Sequence, residues 1–148
     1  MDWLKDLFSN PFLLTGVGSW FVAQVLKTIL HLIMYKKLDF ERMYGDGGMP
    51  SGHSATVASL ATMCGLTCGL ASVEFAIAAI LAIIVCHDAT GVRRETGRHA
   101  EVLNHLLKSL EDGEPVDLKE LVGHTPLQVV MGILIGVGNA FLMYYVIL

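Results

Sequence analysis

The chain has 148 residues, of which 53% are hydrophobic and only 16% are charged. Soluble domains carry about 25% charged residues, so this composition indicates a protein embedded in a membrane. The formal net charge of −4 argues against a nucleic-acid partner, because binding to a phosphate backbone requires a clustered excess of Lys and Arg.

The longest apolar stretches predict the transmembrane part of the fold. A helix needs about 20 mostly apolar residues to cross a bilayer, and the stretches of this kind are residues 12–35, 54–71 with flanking residues, 73 to about 89, and 126–148. Asn10-Pro11 and Thr125-Pro126 each place a capping side chain before a proline that suits the first helical turn. The sequence thus predicts an all-α integral membrane helical bundle, a single domain over residues 1–148 with about four transmembrane helices.

Two shorter helices are predicted outside these spans. Trp3, Leu4, Leu7 and Phe8 precede the first span and predict a short interfacial helix. Between the third and fourth spans, residues 98–111 place leucines at helical spacing opposite charged side chains. We expect this second helix to lie on the membrane or to pack against the bundle.

The second span is built from small residues. They form two ladders of four-residue spacing, Ser54, Ala58 and Thr62 on one, and Ala61, Gly65 and Gly69 on the other. Such ladders allow helices to approach closely in lipid. We therefore expect this span to be the central, most enclosed helix, and the ladders also suit a homodimer.

The basic residues predict the orientation. With four spans, the first and third connections share one side of the membrane and the termini share the other, which carries Lys5. The basic residues on the connection side are Lys36, Lys37, Arg42, Arg93, Arg94, Arg98, Lys108 and Lys119. By the positive-inside rule, we expect a multi-pass protein of the cytoplasmic (inner) membrane whose connections face the cytoplasm.

The stretch GDGGMPSGHSAT, residues 45–56, lies at the cytoplasmic mouth of the second span. A helix start exposes unpaired backbone N–H groups, and glycines before it let further N–H groups turn inward, which stabilises an anion such as phosphate. The third and fourth spans bring Arg93, Arg94 and His124 to the same side. Arginine binds phosphate oxygens bidentately and histidine acts as nucleophile or acid/base, so the sequence predicts phosphoryl transfer here.

Lys27 lies inside the first span, about two turns before its end. In one interpretation its side chain extends to the cytoplasmic interface. In the other it faces the bundle as a phosphate-binding cation, and Gln24, one turn earlier, favours this interpretation because it indicates a polar inner face.

These motifs resemble the three-part signature of the phosphatidic acid phosphatase type 2 superfamily. The matching parts are PSGH at residues 50–53, an arginine after the next span, and GHTPLQVVMG at residues 123–132. The segments GGMPSGHSA, DATGVRR, AEVLN and GHTPLQV are closer still to a small divergent branch, related to vanadium-dependent haloperoxidases. The resemblance covers most of the chain, from Lys27 to Gly132.

The resemblance implies roles for the matching residues. His124 would attack phosphorus to form a phosphohistidine, and His53 would protonate the leaving oxygen and then activate water. The residues that the resemblance assigns to the phosphoryl oxygens are Lys27, Arg42, Ser51, the backbone of Gly52, and Arg93 or Arg94.

The nucleophile has one alternative. The superfamily usually keeps five residues between its arginine and its nucleophilic histidine, and Arg93 and His99 satisfy this spacing. His124 is nevertheless favoured, because a proline and the expected packing pattern follow it, which makes residues 98–120 an insertion.

Two further positions depart from the superfamily pattern. Gln128 stands where the superfamily has an aspartate that orients the nucleophile, and a neutral amide cannot stabilise an imidazolium by charge. Asp88, at the cytoplasmic end of the third span, is the expected source of that charge. The lysine of the first motif is Lys27, with Lys36 or Lys37 as the alternative.

The resemblance implies an integral membrane phosphatase that hydrolyses a lipid phosphate or isoprenoid (pyro)phosphate through a phosphohistidine, without metal or other cofactor. Its partners would be the lipid phosphate substrate and the surrounding membrane lipids. The alternative is a catalytically inactive membrane protein that binds lipid headgroups or scaffolds a partner. The missing aspartate and the short four-span body keep this alternative open.

Overall fold

The computed structural model describes residues 2–36, 47–109 and 117–147. The regular elements in these ranges are the helices α1 (Asp2–Phe8), α2 (Pro11–Tyr35), α3 (Gly52–Cys68), α4 (Val73–Thr90), α5 (Val92–Ser109) and α6 (Pro126–Leu142), followed by the π-helical turn Met143–Ile147. The predicted all-α architecture is therefore confirmed.

Polar side chains begin α2 and α6 at the residues that the sequence indicates. The Asn10 Oδ1 atom accepts a hydrogen bond from the Phe12 N–H at 3.0 Å, directly ahead of the proline that opens α2. The Thr125 N–H donates to Gln128 Oε1 at 2.9 Å and the Thr125 hydroxyl accepts from the Gln128 N–H at 3.4 Å. This reciprocal pair is a capping box, so both predicted helix starts are confirmed.

Within the described residues, three helical segments are long and apolar enough to cross a membrane: Pro11–Tyr35, Val73–Lys108 and Pro126–Val146. The second of these joins α4 to α5 across Gly91, whose N–H donates to the His87 carbonyl at 2.9 Å. The other predicted span is α3, which has 17 residues and lies at the short end of the spanning range. Of the about four predicted transmembrane helices, three are thus long apolar helices and the other, α3, is a shorter, enclosed helix.

The α3 helix is the centre of the bundle and packs against α2, α4 and α6. A Cβ atom on Gly132 of α6 would contact the Ser51 carbonyl oxygen, and one on Gly136 would contact the Ala55 carbonyl oxygen and lie 3.0 Å from the Ser59 N atom. The enclosed position of α3 is therefore confirmed. Its closest approach to α6 uses Ser51, Ala55 and Ser59, a ladder different from the two predicted.

Polar contacts set the rotation of α2 against α3 and α6. The Asn139 amide donates to the Ser19 hydroxyl at 2.7 Å, and the Ser59 hydroxyl donates to the Thr15 carbonyl at 3.4 Å. Interhelical hydrogen bonds of this kind contribute about 0.6–2 kcal/mol each in membranes. They turn inward the α2 face that carries Thr15 and Ser19, and the same face carries the buried Lys27 two turns further on.

The α5 helix begins at Val92, earlier than the predicted amphipathic segment, and ends at Ser109. Gly97, Ala100 and Asn104 are buried on one side of it, whereas Leu103 and Leu106 are exposed on the other. The buried side holds the chain that leads to α6, as described below.

Candidate functional site

His124 lies in the turn before α6 and is only 4% exposed. Its backbone N–H donates to the Ala89 carbonyl at 2.9 Å, which ties the turn to the end of α4. The preceding Gly123 has φ +80°, and a Cβ atom there would contact the Arg94 backbone nitrogen. Because only glycine permits both the conformation and the approach, the histidine is held against the junction of α4 and α5.

A cleft of about 220 Å³ opens beside His124. The residues with polar or charged side chains that line it are Arg94, Arg98, Glu101, Glu120, His124, Thr125 and Gln128. Gly47 and Gly48 line it as well, and both have positive φ values that turn the backbone of the loop before α3. Two of the lining side chains, Glu101 and Glu120, are carboxylates, and Arg98 donates to Glu95 Oε1 at 2.9 Å. The part of the cleft that suits an anionic group is therefore Arg94 beside the glycine-rich backbone.

Lys27 enters the site from α2 and is 4% exposed. A Cβ atom on Gly48 would lie 3.5 Å from Lys27 Cδ, so the aliphatic part of the lysine side chain packs against the loop that holds Gly47 and Gly48, which we call the glycine loop. Gly48 lines the cleft together with His124, and the positive charge of Lys27 lowers the pKa of His124. The interpretation in which Lys27 faces the bundle, and not the membrane interface, therefore fits the structure.

Gln24 lies one turn before Lys27 and is 5% exposed. Its Oε1 atom is buried and has no hydrogen-bond partner among the described residues. Its Cδ atom lies 3.8 Å from where a Cβ atom of Gly52 would stand, so it reaches the start of α3. A buried acceptor without a partner costs about 1–3 kcal/mol, and this oxygen is available to accept a hydrogen bond from a bound substrate or water.

Burial lowers the pKa of His124 below the usual histidine value, and the positive charge of Lys27 adds to this effect. The Gln128 side chain acts in the opposite direction through a hydrogen bond, as does the Gly48 backbone, while His53 lowers the pKa further. The net shift is downward, so the ring is neutral near pH 7. Its Nδ1 atom is buried without a hydrogen-bond partner in the described part of the chain.

The lowered pKa of His124 predicts an acid sensitivity of the fold. In the unfolded chain a histidine binds a proton below about pH 6.5, whereas the buried ring binds one only at lower pH. The unfolded state therefore binds more protons as the pH falls below about 6.5, and the free energy of unfolding decreases. We expect thermal unfolding in detergent to show a smaller loss of stability in His124→Gln than in the wild type over this range. Equal losses would contradict the prediction.

The predicted phosphate-binding residues Ser51 and Gly52 form the start of α3. The Ser51 hydroxyl caps the helix by accepting from the Ser54 N–H at 3.3 Å, and the Ser51 N–H donates to the Gln128 carbonyl at 3.1 Å. Both Ser51 and Gly52 are buried. His53, the next residue, is exposed and lines a separate apolar pocket. Helix α3 thus begins next to the turn that carries His124.

The sequence leaves open whether Arg93 or Arg94 contributes to the site, and the two side chains lie in different surroundings. Arg93 donates from Nε to Asp88 Oδ2 at 2.9 Å in a partly exposed ion pair, whereas Arg94 lines the cleft with His124. Arg94 is therefore the arginine that shares the cleft with His124, and its phosphate-binding role stays a prediction. The Asp88 carboxylate binds Arg93 and does not line the cleft, so its expected role beside His124 stays a prediction.

The alternative residues are placed as follows. His99 is exposed on α5 and does not line the cleft, which favours His124 as the nucleophile. Lys36 is exposed at the end of α2. Lys37 and Arg42 lie outside the described residues.

Among the residues that the structure does describe, no group of three or more His, Cys, Asp or Glu is arranged to hold a metal ion.

Asn104 of α5 is a positioning residue that the sequence did not single out. It is 2% exposed, and its amide donates to the Leu118 carbonyl at 2.8 Å and to Glu120 Oε1 at 2.9 Å, while its Oδ1 atom accepts from the Leu118 N–H at 2.9 Å. Gly97, nearby on the same helix, allows the backbone of Val122 to approach closely. Together they hold the segment that ends at His124 against α5.

We expect Asn104→Ala to loosen this segment, because it leaves the Leu118 N–H and carbonyl without their partner. The expected cost is about 1–3 kcal/mol in the free energy of unfolding, with faster hydrogen exchange at the Leu118 amide. His105→Ala is the matched control, since His105 is the adjacent, exposed residue. Unchanged exchange at Leu118 in Asn104→Ala would show that these hydrogen bonds do not hold the segment.

Comparison with known proteins identifies the family. A family model described as "Divergent PAP2 family" matches residues 8–139, which include Lys27, the glycine loop, Arg94 and His124. The chain is also 40% identical over 146 residues to "Uncharacterized membrane protein YuiD" of Bacillus subtilis (strain 168), an alignment that covers 89% of this chain and 92% of that protein. No solved structure matches the chain. The chain is a membrane protein and belongs to the divergent PAP2 family.

Proposed function

We propose that this protein is an integral membrane phosphatase that hydrolyses a lipid phosphate or an isoprenoid (pyro)phosphate. The observation that carries the proposal is the buried His124, which is neutral near pH 7, lies beside Lys27 and shares a cleft with Arg94. A neutral nucleophile flanked by cations suits attack on an anionic phosphoryl group. Membership of the divergent PAP2 family supports the same reaction class.

In the first step of the proposed reaction, Lys27 and Arg94 neutralise the charge of the phosphoryl group in the cleft. A ring nitrogen of His124 attacks phosphorus, and the P–N bond forms as the P–O bond to the leaving group breaks. His53 donates a proton to the leaving oxygen. The products of this step are a phosphohistidine and an alcohol, or a shorter phosphate when the substrate is a pyrophosphate.

In the second step a water molecule attacks the phosphorus of the phosphohistidine. His53, now neutral, accepts a proton from this water, and the P–N bond breaks to release inorganic phosphate. The Gln128 side chain, which accepts from the Thr125 N–H at 2.9 Å and lies near the imidazole, helps to hold the ring in place during both steps.

We further propose that the site faces the cytoplasm. Arg94 and Arg98 line the cleft, and Arg93 and Lys36 lie at the ends of helices that close on the same side of the bundle. Basic residues concentrate on the cytoplasmic side of membrane proteins. Labelling of a single introduced cysteine at Lys36 in inside-out but not right-side-out vesicles would support this orientation, and the opposite pattern would overturn it.

A second candidate function is lipid headgroup binding without catalysis. The observation that favours it is the ion pair between Asp88 and Arg93, which engages the carboxylate expected to assist His124. The neutral Gln128 faces the imidazole in place of an aspartate. Such a site would bind an anionic headgroup through Lys27 and Arg94 and leave it intact.

Phosphate release by purified protein in detergent separates the two functions. The substrates are farnesyl phosphate, farnesyl pyrophosphate and a diacyl phosphatidic acid, each tested with and without vanadate as an analogue of the transferred group. Release that requires His124 and His53 supports the phosphatase. Binding of these lipids without any release of phosphate supports the second function and excludes the first.

A further inference from the structure

A second pocket, of about 350 Å³, lies between α2, α3 and α4. We call this pocket the apolar slot. The residues that line it are Val17, Trp20, His53, Thr56, Val57 and Val85. Apart from His53, the Thr56 hydroxyl and the Trp20 ring nitrogen, its side chains are hydrocarbon. The Thr56 hydroxyl donates to the Gly52 carbonyl at 2.9 Å and is therefore already engaged.

The apolar slot begins at His53 and runs into the bundle. Helices α2 and α3 are antiparallel here, because Gly52 faces Trp20 at one level and Gly16 faces Thr56 one turn further from the site. Val17 lies at this deeper level, inside the membrane-spanning length of α2, and Val57 lies at the same level of α3, next to Thr56. The slot thus extends from the site end of α3 toward the hydrocarbon layer.

His53 connects the apolar slot to the end of the bundle that carries the site. Its ring lines the slot, and it lies two residues after Ser51, whose N–H donates to the Gln128 carbonyl at 3.1 Å beside the turn that carries His124. In the proposed reaction His53 protonates the leaving oxygen. Whatever is bonded to that oxygen therefore lies on the His53 side of the phosphorus, next to the slot.

We propose that the apolar slot binds the hydrocarbon chain of the leaving alcohol, and that the substrate is accordingly a single-chain lipid phosphate. This inference rests on the proposed function. A glycerolipid would bring two ester carbonyls close to the leaving oxygen, where the Thr56 hydroxyl is already engaged and the single Trp20 N–H could serve only one of them. An isoprenyl or alkyl chain needs no donor and matches a lining of valine and tryptophan. The volume lies at the lower end of ligand pockets, which suits one chain better than two.

The inference can be tested by a substitution that places a bulky side chain in the apolar slot. Val85→Trp inserts a ring into it from α4, and Ile84→Trp places the same ring on the adjacent residue, which is 59% exposed and outside the slot. We expect the ratio of kcat/KM for farnesyl phosphate to kcat/KM for phenyl phosphate to fall about 10-fold or more in Val85→Trp. In Ile84→Trp the ratio should stay at the wild-type value. Wild-type protein should also prefer farnesyl phosphate to diacyl phosphatidic acid.

A second measurement does not depend on turnover. An alkyl phosphate with a photoreactive group in its chain should label residues of the apolar slot, as mapped by mass spectrometry, and Val85→Trp should reduce the labelling. If phosphate is released but the ratio is unchanged in Val85→Trp, or diacyl phosphatidic acid is preferred, the slot inference is wrong and the phosphatase stands. If no substrate releases phosphate but the slot is labelled, the phosphatase is wrong and chain binding stands. Labelling confined to other surfaces overturns the slot inference in either case.

Discussion

We expect His124→Ala to reduce phosphate release from farnesyl phosphate by at least about 10⁴-fold relative to the wild type, because removal of a covalent nucleophile leaves only binding and electrostatic effects. The ring is buried and neutral near pH 7, and its Nδ1 atom lacks a hydrogen-bond partner within the described residues. The variant should still bind the substrate, since Lys27 and Arg94 remain. It should also fail to acquire acid-labile label from a ³²P-labelled substrate, whereas the wild type should acquire it.

His99→Ala is the matched control for this experiment, since His99 is exposed on α5 and lies outside the cleft. We expect it to retain activity within about 2-fold of the wild type, as is usual for exposed positions away from a site. Loss of activity in His99→Ala with retention in His124→Ala would reverse the assignment of the nucleophile. Comparable activity in all three proteins would show that neither histidine forms the intermediate.

The membrane helices were predictable because their signals are local. Asn10-Pro11 and Thr125-Pro126 specify helix starts by their own capping chemistry, and both caps are present. The apolar length of α2 and α6 needs no knowledge of their neighbours. The enclosed position of α3 was also predicted, from its small residues, but the residues of its closest approach to α6 were not, because they depend on how the two helices pack.

Which residues share the site was only partly predictable. His124, Lys27 and the glycine loop meet as the motifs indicate, since helix α2 turns its Thr15 and Lys27 face inward. The choice between Arg93 and Arg94 was not available from spacing, because adjacent residues of a helix point about 100° apart and the direction depends on the turn at Gly91. In the structure Arg94 lines the cleft with His124 and Arg93 does not, and the phosphate-binding role of Arg94 stays a prediction.

The contacts that hold the site in position were the least predictable from the sequence. Asn104 contacts Leu118 and Glu120 across a long connection, and no local pattern relates these residues. The apolar slot likewise combines residues from α2, α3 and α4, and apart from His53 each of them resembles an ordinary lipid-facing or core position in the sequence. Such features depend on the tertiary arrangement and carry no periodic or motif signal.

We expect Gly136→Leu to be among the most destabilising substitutions in the bundle. A Cβ atom at Gly136 would contact the Ala55 carbonyl oxygen and lie 3.0 Å from the Ser59 backbone nitrogen, and backbone atoms cannot move aside as a flexible side chain can. Helices α3 and α6 would have to separate, at an expected cost of about 3 kcal/mol or more in the free energy of unfolding. Thermal unfolding in detergent, followed by circular dichroism, measures the effect.

Gly138→Leu provides the control, because a Cβ atom at Gly138 meets nothing within 4 Å. It lies on the same helix and makes the same change in composition, and replacing a helical glycine by leucine favours the helix by up to about 1 kcal/mol. We therefore expect Gly138→Leu to unfold at or above the wild-type temperature. Equal destabilisation by both variants would mean that the α3–α6 contact is not the tight packing described.

The same contact links stability to the site. The Ser51 N–H donates to the Gln128 carbonyl at 3.1 Å across the α3–α6 contact, so separating the helices also moves the start of α3 away from the turn that carries His124. The surviving folded fraction of Gly136→Leu should consequently lose activity per folded molecule, and Gly138→Leu should not. Full activity per folded molecule in Gly136→Leu would show that the site is assembled independently of this packing.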